Sequence, residues 1–595
     1  MLVQNGFRAI LLILLLVSLF ACTAENTPNN EKEAKPVNYQ PSSSDVADSR
    51  HHMVGTAPGA GLGIGAGTLP TTPPVGGLPF TPPATIPVTP PTNLPVTPPT
   101  TAPITPNPIT PAPVTPTPTP VIPAPVTPSP TPVLPTALPT FQHLPVLTDS
   151  DGNSNDGMAT YNISVDSNVP VNVTTPNGSW TTPMMRYNNS QLPPVIVAKR
   201  DTQMTFNVQN NLVEETTIHW HGFKIPAIQD GGPDNPILAG GSRVYNFTLL
   251  QPGAPLWFHP HAHGTTATHV YNGLAGAFVV TDDITLNLEA NNQLPSGTFD
   301  IPLLVQDRTF TPDIGTGTRE LAYQPNMMGM LGDTVLVNGV QMPALEVQTR
   351  QYRFKLFNGS NARTYDFALA NNAMFKVIGT DGGLLAQPFD ADHILLSAGE
   401  RAEIVIDFAA YNLGDTVTLV NRQSGTTTTT YNIMRFDIAT VSTDDVVLYT
   451  DLPATAEIYN RLTAAQASTN RNFVMSMGGM GPGGMQFLIN GKTFDINRVD
   501  ELVTAGTTEI WTISNTSMMP HPFHAHAIQW QVLDRNNLPS TGTDLGWKDT
   551  VLVQPGETVR FIGHFDPEVN IGRYMYHCHI LEHEAAGMMG IFEIQ

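Results

Sequence analysis

The chain has 595 residues, with 49 acidic against 27 basic side chains and a formal charge of −22. That balance excludes nucleic acid as a partner, which needs a basic footprint; it suits a cationic substrate or simply a solubilising surface. The length exceeds one ordinary core and leaves room for three or four units of ~150 residues, and the two cysteines allow at most one disulfide.

Residues 1–22, "MLVQNGFRAILLILLLVSLFAC", read as an export signal, with one Arg, an apolar run from Ala9 to Phe20 and a small residue before Cys22. The run is short for a permanent membrane span. "LFAC" resembles a bacterial lipobox, in which the Cys becomes the lipidated first residue of the mature protein. The chain is therefore expected to be exported and anchored through a lipid on Cys22 to the cell envelope, on the outer-membrane, periplasmic or cell-surface side. An ordinary signal peptide with an incidental Cys is the alternative. With Cys22 lipidated, Cys578 is the remaining thiol, and an unpaired Cys in an exported protein calls for an explanation.

Residues 23–144 are expected to be a disordered, Pro-rich linker. From Pro70 to Pro139 there are 27 prolines in 70 residues and no charged side chain. Proline lacks the N–H and fixes φ, so this stretch should be extended polyproline II at ~3.1 Å per residue, a stalk of roughly 200 Å. The glycines of "GAGLGIGAG" before it follow no strand and make a poor phosphate loop.

After about residue 145 short alternating runs take over: "TQMTFNVQN", "TVLVNG", "YRFKLFNGS", "AEIVIDF", "EIWTISN", "TVRFIGHF". Period-2 alternation between Gly, Pro, Asn and Asp predicts half-buried antiparallel strands, and no long helical pattern competes. An internal repeat is present. "FNVQN", "FKLFN" and "WTISN" end at Asn210, Asn358 and Asn515, which are 148 and 157 residues apart. Each is followed 30 to 41 residues on by a Gly turn and another strand, "GGSRVYNF", "AGERAEIVI" and "PGETVRFI". Three all-β sandwiches with Greek-key-like turns, at 145–285, 286–445 and 446–595, are the economical reading.

Four histidine clusters stand out among only 17 histidines: "HWHG" (His219, His221), "HPHAHG" (His259, His261, His263), "HPFHAH" (His521, His524, His526) and "HCHILEHEAAGM" (His577, Cys578, His579, His583, Met588). Imidazole beside a thiolate selects copper, zinc or iron. On a strand successive side chains point to opposite faces, so in "HCH" two imidazoles share one face and the sulfur takes the other. One strand thereby touches two metal sites. His219 pairs with His221, His259 with His261, and His524 with His526, while His521 is out of phase with His524 and free to join the sulfur. That side collects His521, Cys578, His583 and Met588, the ligand set of a blue-copper site. The other face collects eight imidazoles and no carboxylate, which fits a copper cluster better than magnesium, calcium or a di-iron carboxylate site.

These four motifs, together with "WFHPHAHG", "DGGP", "NGSNAR", "TDGGLL" and "HPFHAH", resemble the bacterial copper-efflux oxidase and laccase branch of the multicopper oxidases over about residues 145–595. The resemblance implies three cupredoxin domains and four copper ions: one type 1 in the last domain, and one type 2 with two type 3 ions in a cluster between first and last. Carried over residue by residue, type 2 copper would take His219 and His524. One type 3 ion would take His221, His259 and His579, the other His261, His526 and His577. Electrons would pass through Cys578 and its neighbouring histidines to the cluster, where dioxygen becomes water. Asp230 in "QDGGP" and Glu584 after His583 match family acids and are sensible proton donors through waters; a turn cap and a surface charge are their structural alternatives.

His263 is expected to support the cluster by hydrogen bonding, since eight ligands already fill it. His51, His52, His143, His269, His393 and His564 have no partner at ligand spacing. "MSMGGMGPGGM" supplies Met475, Met477, Met480 and Met485 in a Gly-rich loop, and thioethers suit Cu(I), although loosely packed methionines in a linker are the plain alternative. The expected activity is a laccase-like oxidase acting on Cu(I), another metal ion or a phenol, with a role in copper homeostasis, in a monomeric chain that takes dioxygen and a reducing substrate. The alternative from another class is a non-catalytic surface protein that sequesters copper.

Overall fold

In the computed structural model the described residues are 137–150, 152, 157–313, 315–422, 431–443, 446–481 and 484–595. The signal segment 1–22, the Cys22 anchor and the stalk up to residue 136 lie outside them.

The described chain is built from strands, and its longest α-helix, Asp283–Ala290, has only 8 residues and starts from a capping box between Asp282 and Thr285. Three apolar cores carry the architecture. The first lies between strands such as Gln203–Asn210 and a four-stranded sheet of Val195–Lys199, Gly276–Thr281, Ala254–His259 and His219–His221. The second surrounds Phe354, Phe367 and Ile404, and the third surrounds Phe473, Trp511 and Phe523. In the third, a five-stranded sheet places Gly572–Cys578 between Met589–Ile594 and His521–Ala525.

The repeated asparagine has a structural reason. Asn210 Nδ2 donates to the Ile237 carbonyl at 2.9 Å while its Oδ1 accepts from Leu212 N at 2.9 Å. Asn358 does the same with Leu396 O (3.0 Å) and Ser360 N (3.1 Å), and Asn515 with Val553 O (2.9 Å) and Ser517 N (2.9 Å). Each is buried at a strand end, where a side-chain amide satisfies backbone groups the ladder leaves unpaired.

Two findings differ from the sequence reading. The first and second sandwiches share one 11-stranded sheet, joined where Met158–Thr175 runs parallel to Val340–Gln341 through Thr174 and Val340. The expected linker end at 144 is also too late. Phe141 is buried in the second core and its N–H donates to Ala344 O at 2.9 Å, because an aromatic side chain following the proline tract finds an apolar groove to fill.

Candidate metal centres

In the strand Gly572–Cys578, Tyr574, Tyr576 and Cys578 face the third core, while Met575 and His577 fall outside that cluster. The register sets Phe523 opposite Cys578 and His524 opposite His577. His219 stands opposite His259 in the four-stranded sheet of the first sandwich. Two histidine-bearing sheets thus meet, and all eight imidazoles are at most 1% exposed.

Hydrogen bonds fix the ring protons. His219 Nδ1 donates to Asp230 O (3.0 Å), His259 Nδ1 to Pro260 O (2.8 Å), His524 Nδ1 to Asp549 O (2.8 Å) and His577 Nδ1 to Cys578 O (3.0 Å). His526 Nδ1 donates to Asp230 Oδ2 at 2.6 Å. Their Nε2 atoms therefore carry lone pairs. His577 Nε2 lies 3.1 Å from His261 Nε2 and 3.3 Å from His526 Nε2, so the bare lone pairs of His577 and His526 face each other. Burial holds all eight rings neutral, His261 down to about 3 and His524 to about 4. His219 Nε2, His524 Nε2 and both ring nitrogens of His579 have no partner among the described residues. Each such orphan costs about 1–3 kcal/mol, and a soft cation at the focus removes that cost.

Of the expected cluster sets, His261, His526 and His577 converge by their ring nitrogens, as do His219 and His524, whereas His221, His259 and His579 are neighbouring rings. His261, His526 and His577 point their ligating nitrogens within 4.8 Å of one another. His221, His259 and His579 have ring centroids 4.9, 5.5 and 5.6 Å apart. His219 and His524 lie 5.9 Å apart with both free Nε2 atoms buried.

On the opposite face, Cys578 Sγ lies 3.4 Å from His521 Nδ1 and 3.6 Å from His583 Nδ1. His583 Nε2 donates to Met327 O at 3.1 Å. Ser517 Oγ lies 2.8 Å from Asn515 Oδ1 and 3.0 Å from Met519 O, both acceptors, so it accepts from His521 Nε2 at 2.7 Å. Both Nδ1 lone pairs therefore face the sulfur. Burial keeps His521 (about 3) and His583 (about 4) neutral and pushes the Cys578 thiol up, so a cation entering here displaces the thiol proton. Met588 is buried in the same core cluster, and its carbonyl accepts from Cys578 N at 3.0 Å. Phe487 stacks over His583 at 4.0 Å.

Asp230 touches His526 directly, and burial, then Asp234, raises its carboxyl. Glu584 accepts from Thr266 Oγ1 at 3.0 Å and sits 3.7 Å from His261 Nδ1. Burial raises it to about 8 against that hydrogen bond, so it holds a proton at neutral pH.

Two expectations are corrected. His263 is exposed and packs 5.2 Å from Phe494, because the strand ends at His259 and alternation no longer governs the residues beyond it. The methionine segment is a β-hairpin, Thr469–Gly481 with Gly484–Ile489, rather than a loop. Met475 is fully buried in the third core, and Met477 and Met485 pack against it. Ser517, Met327, Asp549 and Arg401 escaped the sequence reading, since single polar residues far apart in the chain carry no spacing signal.

Comparison with known proteins gives matches to sequence models of the multicopper oxidase family at residues 168–284, 303–438 and 452–595. A multicopper oxidase of Staphylococcus haemolyticus is 33% identical over 414 residues, covering 69% of this chain and 83% of that protein. A laccase of Bacillus subtilis is 33% identical over 428 residues, covering 64% and 80%. The crystal structure of a laccase from Pediococcus acidilactici superposes with a TM-score of 0.67 at 32% identity, covering 77% of this chain and 93% of the other.

Proposed function

The chain belongs to the multicopper oxidase family, and from that premise we propose that it couples one-electron oxidation of a donor to four-electron reduction of dioxygen to water. It is a copper-dependent oxidase; the donor class and the water-forming step are the proposal. The observation that carries it is the segment 577–579, in which the Cys578 sulfur faces the neutral imidazoles of His521 and His583 while His577 and His579 join six further buried imidazoles.

His521, Cys578 and His583, with Met588 beside them, would hold a type 1 copper. His219 and His524 would hold type 2, and the sets His221, His259, His579 and His261, His526, His577 would hold the two type 3 ions. Bound copper would supply one-electron redox chemistry on the sulfur side and dioxygen reduction on the other. The chain supplies the rest. His577 donates to the Cys578 carbonyl at 3.0 Å, which gives a hydrogen-bonded route beside the covalent one between the two sites. Glu584 keeps a proton within 3.7 Å of His261, and burial of every ring excludes bulk water. Asp230 orients His526, and its raised affinity for a proton suits delivery beside the His261, His526 and His577 set.

The donor is proposed to be Cu(I), another metal ion or a phenol, meeting the surface near His583, where Met327 is exposed and the hairpin supports Phe487. Oxygen uptake by the copper-loaded protein, compared on Cu(I), Fe(II) and a phenol at matched concentrations, tests the reading. Met477→Ser with Met485→Ser should lower Cu(I) turnover several-fold and spare the phenol, leaving the core Met475 untouched. Equal loss on both donors would remove Cu(I) as the preferred donor, and no uptake on any donor would favour the sequestering alternative.

A further inference from the structure

Six of the eight cluster imidazoles are tethered to protein oxygens, five through Nδ1 and one, His221, through Nε2. His221 Nε2 lies 3.0 Å from Asp549 Oδ1 and 3.1 Å from Thr550 Oγ1. Its Nδ1 faces His259 Nε2 at 3.4 Å. Asp549 is itself clamped: Arg401 donates to both carboxylate oxygens at 2.7 and 2.6 Å, Thr550 Oγ1 to Oδ1 at 2.9 Å and Gln529 Nε2 to Oδ2 at 2.9 Å. Such a carboxylate is acceptor-only, so the ring proton must sit on Nε2.

Arg401 comes from the second sandwich, which contributes no imidazole to the cluster. Its remaining hydrogen bonds, to Pro255 O (2.8 Å), Gly399 O (2.9 Å) and Asp381 O (3.1 Å), leave it no freedom to swing away. The packing admits nothing more. A Cβ on Gly222, whose φ is +87°, would stand 2.5 Å from Asp549 Oδ2 and 2.9 Å from Arg401 Nη2, which accounts for the glycine in "HWHG". A Cβ on Gly399 would stand 2.9 Å from the ring of His579, so the same turn of the second sandwich also bounds a second cluster ring.

We propose that Asp549, held by Arg401 of the second sandwich, is a positioning residue that fixes which nitrogen His221 presents to the cluster. The sandwich without ligands thereby sets the tautomer of one ligand and the seat of another, His579. This inference rests on the copper reading of the site, and its test keeps the two apart.

Asp549→Asn preserves shape, but its amide N–H₂ must face either His221 Nε2–H or Arg401, donor against donor. In the full chain loaded with copper, the blue absorption of the sulfur site should be unchanged. The cluster should lose copper affinity by ~10–100-fold, read as fewer copper ions per chain and an altered type 2 paramagnetic signal. The double variant Arg401→Met/Asp549→Leu buries no lone charge and should show the same cluster defect in a folded, blue protein. Either variant, folded, with the full copper complement and a wild-type signal would overturn the proposal. So would failure of both to fold, which would assign the pair to stability alone. A wild-type chain that takes up no copper would instead sink the copper reading itself.

Discussion

Cys578→Ser is expected to yield a folded, colourless protein whose oxygen uptake, on any donor, falls to that of a protein-free control. Cys578 is fully buried in the third core, and a serine hydroxyl there can donate to a facing Nδ1 lone pair of His521 or His583, so the substitution is tolerable for a chain with three cores. A serine oxygen is a hard, weakly acidic donor and does not replace a thiolate between the two Nδ1 atoms that face it at 3.4 and 3.6 Å. The segment bearing the cluster histidines stays in place, since the His577 ring donates to Cys578 O and the His579 backbone N–H to Pro522 O. Copper content should therefore drop by the sulfur-side ion alone. A Cys578→Ser protein that stays blue, or that still consumes oxygen, would remove the sulfur from its assigned place.

The second large effect is expected of Glu584→Gln. The amide oxygen keeps the 3.0 Å acceptance from Thr266 and fills the same space beside His261, but it carries no transferable proton. Oxygen reduction consumes protons in a closed site, so turnover should fall by ~10²–10⁴, with blue absorption and copper content unchanged. The block belongs to the oxygen half of the cycle, so during turnover the protein should accumulate in its bleached, reduced form. A rate within twofold of wild type would show that protons arrive by another path, with Asp230 the next candidate.

Much of this site was legible because strand alternation is rigid. "HCH" has one possible partition of faces, and the register pairs His524 with His577 and Phe523 with Cys578 as that partition requires. The Asn210, Asn358 and Asn515 repeat was visible because each performs the same buried backbone task. Alternation failed at His263, where the strand had ended, and at the methionine hairpin, where glycine-rich composition hid a paired register from Met475 with Ile489 onward. The sheet shared by the first two sandwiches rests on a backbone pairing between Thr174 and Val340, which leaves no side-chain pattern. Asp549 and Arg401 are 148 residues apart and meet only in the fold. Ring tautomers, which decide the nitrogen each imidazole offers, depend on carbonyls such as Asp230 O and Pro260 O that every residue possesses.

The most direct measurement of the link between the two sites is anaerobic bleaching of the blue absorption in the copper-loaded chain, followed by graded addition of dioxygen. If segment 577–579 joins the sulfur site to the cluster, the colour returns in full, one dioxygen is consumed for every four donor electrons, and no hydrogen peroxide accumulates. Colour that stays bleached under oxygen, or that returns with stoichiometric peroxide, would contradict that connection.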